Sequence, residues 1–428
     1  MAVQVEQAVA GTAVSGGYLA PGGRPKRRSA PTRSALGPVP CPPPVLRRAQ
    51  VISHSPLLIK SDWSGRLFFS PSEDVGRKCQ FCGVVRRGCE VWPVVEAGGG
   101  ATTYGPADES AHVRVAGRTY RFDVGKGAVA IKIIPLKAVH QKAKQNKTTA
   151  GNMSGEDPYK EIAVLQQLAP HGHASVEELI EAMEDDRSLY KVAPWYAGGE
   201  LFDLAPMSED VARPLFREIL GAVAFLHSQG ICHRDISLEN ILLDEQAESA
   251  LTGSEPLCSG DEEDDERSCA SSATPASTAQ SGGSPASRPR LVDFGMSLRM
   301  PRAETGENLP LTPQGRSGKI VYMPPEVFFN DSPFEGGAVD VWCVGVALFL
   351  ALLGVEPWLS PADLRFKEMA GNRRMAKVLE GWGLRSGLSD DAVDLLQAVL
   401  TADTAARLSD AEGMLAHPWF HASPLEEG

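Results

Sequence analysis

The sequence predicts an α+β chain in two lobes, a small antiparallel sheet with one helix followed by a larger helical lobe. Three observations lead there. Short apolar and β-branched runs dominate from about 105 to 190, as half-buried strands require. Apolar residues at helical spacing dominate from about 200 onward. The stretch from Val341 to Val355 is almost wholly apolar, too long for a strand and too short for a membrane span, so it reads as a buried core helix.

The elements follow in order. His112 to Val115 and Tyr120 to Val124 read as strands, and Ala128 to Ile134 is an apolar run holding a single charge, Lys132. Ile162, Leu165 and Leu168 recur at helical spacing with Glu161 among them. Leu179-Ile180 and Leu189 to Val192 read as two more strands. Ser208 before Glu209 and Asp210 marks a helix start, a capping oxygen followed by negative charge at the positive dipole end. Val211, Leu215, Ile219, Leu220, Val223 and Leu226 form its stripe; Pro214 should bend it or delay its start, and Gly230 should end it. Further helices are expected near 341–355, 364–380, 390–401 and 409–416.

The flanks differ in composition. Residues 1–60 have Glu6 as their sole acidic residue and read as a disordered basic Pro/Gly/Ala tail. Its cluster Arg24 to Arg28 fits a solvated charge run, a nuclear-import signal or a transit segment. Residues 61–104 are an uncertain extension in which Phe68, Phe69, Val84, Val85, Val91, Trp92, Val94 and Val95 could form short strands. Cys79 and Cys82 make a C-x-x-C with Cys89 beyond, but no second pair follows, so ordinary thiols are expected rather than zinc. Residues 244–290 are a Ser-rich, acidic insert expected to be disordered. Its run Asp261 to Glu266 is solubilising, or binds a basic partner, or sets an acidic context for phosphorylation of Ser259.

Composition excludes whole classes. With 428 residues and 43% hydrophobic content the chain can build a large core, so a wholly disordered chain is excluded. Eight irregularly spaced cysteines argue for a reduced, intracellular setting, cytoplasmic or nuclear. A net charge of -12 argues against nucleic acid as a partner of the whole chain. No run of 18 apolar residues and no secretory leader is found, so no membrane partner is expected.

The chemistry sits in three short strings. Val129-Ala130-Ile131-Lys132 comes first, then His233-Arg234-Asp235 with Asn240 five residues after the Asp, then Asp293-Phe294-Gly295. In this order they resemble the eukaryotic protein kinase family. Met323-Pro324-Pro325-Glu326, Asp340 to Gly345, Arg407 and His417-Pro418-Trp419-Phe420 extend the resemblance, which covers about 105–421. It implies transfer of the ATP γ-phosphate to Ser/Thr hydroxyls of protein substrates, with Mg2+. Lys132 would bind the α/β-phosphates and pair with Glu161. Asn240 and Asp293 would hold the metal, since hard oxygen ligands suit magnesium. Asp235 would accept the proton of the attacking hydroxyl. Ala193 falls at the gatekeeper position, Pro194 offers its carbonyl to adenine, Tyr196 offers an N–H, and Glu200 faces the ribose. Leu165, Leu179, His233 and Phe294 would form the apolar stack joining the lobes.

Three departures stand out. The glycine-rich phosphate loop is degraded: the segment Gly105 to Val113 offers one glycine, with Asp108 and Glu109 beside it. Ser237 stands where the resemblance puts a Lys, and Lys319 where it puts a Thr, so Lys319 either takes over the γ-phosphate charge or is merely exposed. The insert separates the catalytic loop from Asp293, at little closure cost. Thr305, Thr312 and Ser317 are candidates for phosphorylation opposite Arg234. The alternative to an active kinase is a weak pseudokinase acting as a binding scaffold.

Overall fold

The strand carrying Lys132 shows how the small lobe is built. Val129–Pro135 (β8) alternates its side chains, so Val129 and Ile131 face one side and Lys132 and Ile134 the other. The first set packs with Ala49, Ile59, Met183, Tyr190 and Val192. The second faces Ile162, Ala182 and Leu189 beneath a helix. The computed structural model describes residues 34–54, 57–60, 67–70, 81–88, 110–115, 118–123, 129–141, 155–196, 198–244 and 287–422. The basic cluster at 24–28, the side chains of Cys79, Cys82 and Cys89, the stretch from Val91 to Val95, the segment 105–109 and the acidic run 261–266 lie outside these residues.

The sheet begins earlier than the sequence suggests. Its strands are Arg47–Arg48 (β1), Gln50–His54 (β2), Leu57–Lys60 (β3), Leu67–Ser70 (β4), Phe81–Gly88 (β5), β8, Glu181–Glu184 (β9) and Ser188–Pro194 (β10). They lie in the order β1-β9-β10-β8-β5-β4-β3-β2. All neighbours are antiparallel except β1 with β9, so the sheet is mixed, not purely antiparallel. Residues 47–60 are therefore not tail: Ala49, Leu58 and Ile59 are buried in the sheet. The boundary at 105 is likewise not structural, because β4 and β5 complete the sheet beside β8. The strands expected at 112–115 and 120–124 exist as Ser110–Val115 (β6) and Arg118–Asp123 (β7), but they pair with each other outside that sheet. The strand after Leu179-Ile180 starts at Glu181, where Val192 supplies its partner.

The helix Pro158–Leu168 (α1) begins on Asp157, whose carboxylate accepts the Tyr159 and Lys160 N–H groups, with Pro158 preset for the first turn. A long helix Glu209–Ser228 (α2) opens the large lobe. It continues through Pro214, which faces solvent, where water can serve the carbonyl left unpaired. Gly336–Leu353 (α3) is the expected apolar helix, long and apolar enough to cross a membrane yet buried within the large lobe. Helices Pro325–Phe329, Asp390–Val399 and Ala411–Leu415 follow, and the helix expected over 364–380 is divided into Leu364–Phe366, a π-turn at Lys367–Gly371 and Met375–Trp382. Arg407 packs over Trp342 and grips Glu326 through both guanidinium ends, at 2.6 and 3.0 Å.

The segment Ala35 to Arg48 runs across both lobes. Leu36 N–H donates to Pro310 O at 3.0 Å and Leu36 O accepts from Thr312 N–H at 2.9 Å. Val39 N–H donates to Arg299 O at 2.9 Å. The Gln166 amide on α1 closes a two-way pair with the Val45 backbone at 2.8 and 2.7 Å before β1 joins the sheet.

Candidate active site

A cleft of about 340 Å³ opens between the lobes. Lys132, Ala193, Pro194, Tyr196, Asn240 and Asp293 all line it. Strand alternation puts Lys132 on the face toward α1, where Glu161 waits. Lys132 Nζ donates to Glu161 Oε2 at 2.9 Å and to Asp293 Oδ1 at 3.5 Å. Burial alone would weaken the ammonium, but Glu161 and Asp293 outweigh it and hold Lys132 charged. Glu161 is likewise pushed up by burial and pulled below the ordinary range by Lys132 and Lys191.

Asp293 adopts left-handed backbone, φ 65°, a conformation that a non-glycine residue holds only under constraint. Its carboxylate accepts from Gly295 N–H at 3.3 Å, and Gly295 O accepts from Asp157 N–H at 3.1 Å, tying the start of α1 to this turn. Phe294 meets His233 edge to face at 4.7 Å, and Leu165 is buried in the same core with Leu179 packed against it.

The catalytic-loop candidates lie between Ile231–Cys232 (β11) and Ile241–Asp244 (β12). Asp340, at the buried start of α3, accepts the backbone N–H of His233 at 2.8 Å and of Arg234 at 2.7 Å. That grip holds Arg234 at φ 67°, and Asp235 lies next to the cleft residue Asn240, lining a small pocket with Ser317, Gly318 and Lys319. Asn240 Nδ2 donates to Asp235 O at 2.7 Å and to its Oδ2 at 3.1 Å. Burial raises the Asp235 carboxyl, with Lys319 and His233 pulling against it. β12 pairs with Arg288–Leu291 (β13), so the ends of the insert are adjacent and Asp293 follows directly.

Lys319 lies beside Ser237, its Nζ donating to Ser237 Oγ at 2.5 Å and facing Glu239 Oε2 at 3.2 Å. Gly318 permits this approach: at φ 80°, a Cβ there would come within 2.8 Å of Arg234 O. Glu200 bridges Leu242 at the cleft edge, where burial and then Asp203 and Glu239 raise its carboxyl. The Tyr196 hydroxyl accepts from Glu178 N–H at 3.3 Å. Arg234 is buried against Phe334, with Gly315 O at 3.5 Å, and its Nε and Nη1 have no partner among the described residues.

Two residues of the site were not anticipated. Lys191, directly opposite Lys132 across the strands, donates to Glu161 Oε1 at 2.6 Å and Glu177 Oε1 at 2.7 Å. A lone lysine in the apolar run Leu189 to Val192 was the available signal, since a buried ammonium needs a partner.

For a metal, the oxygen donors at hand are the Asp293 carboxylate and the Asn240 amide. No cluster of three or more His, Cys, Asp or Glu is found among the described residues. This sparse set fits Mg2+, which takes few protein oxygens and completes its shell with water and phosphate.

The protein kinase domain profile matches residues 123–420. Among curated relatives, calcium-dependent protein kinase 11 of Oryza sativa subsp. japonica is 30% identical over 268 residues, covering 62% of this chain and 37% of that protein. Serine/threonine-protein kinase SRK2J of Arabidopsis thaliana is 30% identical over 264 residues, 60% of this chain and 64% of that protein. Serine/threonine-protein kinase SRK2A of Physcomitrium patens is 27% identical over 304 residues, 70% and 72%. The chain thus spans under two thirds of the length of the first two.

Proposed function

The chain belongs to the protein kinase family, and from that premise we propose that it is an active, ATP-dependent serine/threonine kinase of protein substrates. One observation carries the reading: Lys132 contacts both Glu161 and Asp293, and Asn240, in the lining of the same cleft, holds the Asp235 carboxylate. Phosphoryl transfer needs positioning and charge stabilisation more than covalent chemistry, and both are built here. Lys132 would hold the α/β-phosphates. Asn240 and Asp293 would hold Mg2+, which neutralises phosphate charge when bound. Asp235 would orient the substrate hydroxyl and take its proton. Lys319 would bring to the γ-phosphate the charge that Ser237 lacks. Pro194 O and the Tyr196 N–H would receive adenine, Ala193 would leave room behind it, and Glu200 would meet the ribose. An intracellular setting belongs to the proposal, in keeping with the free thiols Cys41, Cys232 and Cys343.

The second reading, a scaffold that binds nucleotide without transfer, is favoured by the glycine-poor segment Gly105 to Val113 and by Ser237. Transfer of labelled γ-phosphate to a generic basic protein, followed by phosphoamino-acid analysis, separates the two. Wild type should label serine and threonine, and Asp235→Asn should lose at least about 100-fold of that rate. Nucleotide binding without transfer in the wild type would establish the scaffold instead.

A further inference from the structure

Two lysines directly opposite each other on one face of a sheet repel, and both are nearly fully buried here. Such a pair persists only if something between them compensates. Glu161 lies between, one carboxylate oxygen on each ammonium. Lys191 then reaches Glu177 Oε1 at 2.7 Å, and Glu177 Oε2 accepts the backbone N–H of Asp293 at 3.4 Å. Asp293 Oδ1 returns to Lys132 at 3.5 Å. The contacts close into a ring: Lys132, Glu161, Lys191, Glu177, Asp293 and back to Lys132. Three carboxylates face two ammonium groups in it, leaving one negative charge toward the cleft.

We propose that Lys191 and Glu177 are positioning residues for phosphoryl transfer, fixing α1 through Glu161 and the Asp293 turn through its amide. The inference rests on the reading of the cleft as a phosphoryl-transfer site. A Lys132–Glu161 pair alone ties one helix to one strand. The ring also ties the backbone of the metal-holding turn to Glu177, which Lys191 joins to Glu161, so that the phosphate-holding amine and the metal-holding carboxylate keep a fixed separation. Neither Lys191 nor Glu177 needs to touch the reacting atoms.

The test uses the full chain and three forms: wild type, Lys191→Met, and the double variant Lys191→Met/Glu177→Leu. Lys191→Met strands Glu177 beside a half-paired Glu161 and should melt well below wild type. The double variant removes the stranded carboxylate and should regain most of the melting temperature. It should nevertheless show faster amide exchange across Val292 to Gly295, and a kcat about 10–100-fold below wild type with the KM for ATP little changed, as loss of a residue supporting a metal ligand does. A purely structural pair would instead give a double variant with wild-type exchange and wild-type kcat, and that result overturns the proposal. If wild type itself transfers no phosphate, the kinase reading fails, and amide exchange alone then decides whether the ring holds the turn.

Discussion

At Asp235 two forces oppose each other. Burial destabilises the carboxylate, while Lys319, on the facing loop, stabilises it. Removing the Lys319 charge leaves burial less opposed, so the Asp235 pKa rises further. In the role proposed for Asp235 a base works only when deprotonated, so the acid limb of the kcat–pH profile should move to higher pH in Lys319→Met, with turnover at neutral pH reduced by an order of magnitude or more. An unmoved limb and an unchanged rate would make Lys319 an ordinary surface lysine. The residues that sequence exposed are those with a motif around them. Lys132, Asp235, Asn240 and Asp293 sit in short strings whose order is informative. Lys191 and Glu177 sit in none, and their meaning depends on which strand face they share with Lys132, a register no string encodes.

Among the elements, α3 was legible because its apolar run is longer than any strand, and α2 because its stripe keeps helical period. Several strands of the small lobe were legible as strands, β6, β7, β8 and β10 among them, but their pairing was not. β4 and β5 are separated in the chain from β8 by β6, β7 and their connections, and only pairing reveals β5 as its neighbour with β4 beyond. The strand beside β8 is β5, whereas β6, which begins at Ser110 ahead of Val129-Ala130-Ile131-Lys132, pairs with β7 instead. Within α3, Gly345 marks the closest helix contact: a Cβ there would fall 2.5 Å from Val399 Cγ1 and 3.1 Å from Leu400 Cδ2. Val399 is β-branched and held in a packed helix, so it has little room to yield. Gly345→Val should cost about 1–3 kcal/mol through overpacking, read as a lowered denaturant midpoint with an unchanged slope. A midpoint equal to that of wild type would show that the two helices can separate freely.

At the scale of the molecule, the chain before β2 works as a strap rather than a tail. Between Ala35 and Arg48 it pairs with Arg299, Pro310 and Thr312 in the segment after Asp293, with Gln166 on α1, and with β9 in the sheet. Its prolines and arginines misled a composition-based reading, because a strap held by backbone hydrogen bonds needs few large apolar side chains. Leu36 and Val39 are partly exposed, so their contribution lies mainly in their N–H groups. Proline removes such a donor without adding charge. The variant Leu36→Pro/Val39→Pro loses two backbone hydrogen bonds, each contributing about 0.5–1.5 kcal/mol. For a domain of this size the melting temperature should then fall by a few degrees, at about 2–4 °C per kcal/mol. Because both bonds end on the segment between Asp293 and Glu326, limited proteolysis should open that segment first, at Arg299 or Arg302, before the large-lobe core yields. Cleavage sites and rates identical to wild type would mean that the strap lies on the segment between Asp293 and Glu326 without restraining it.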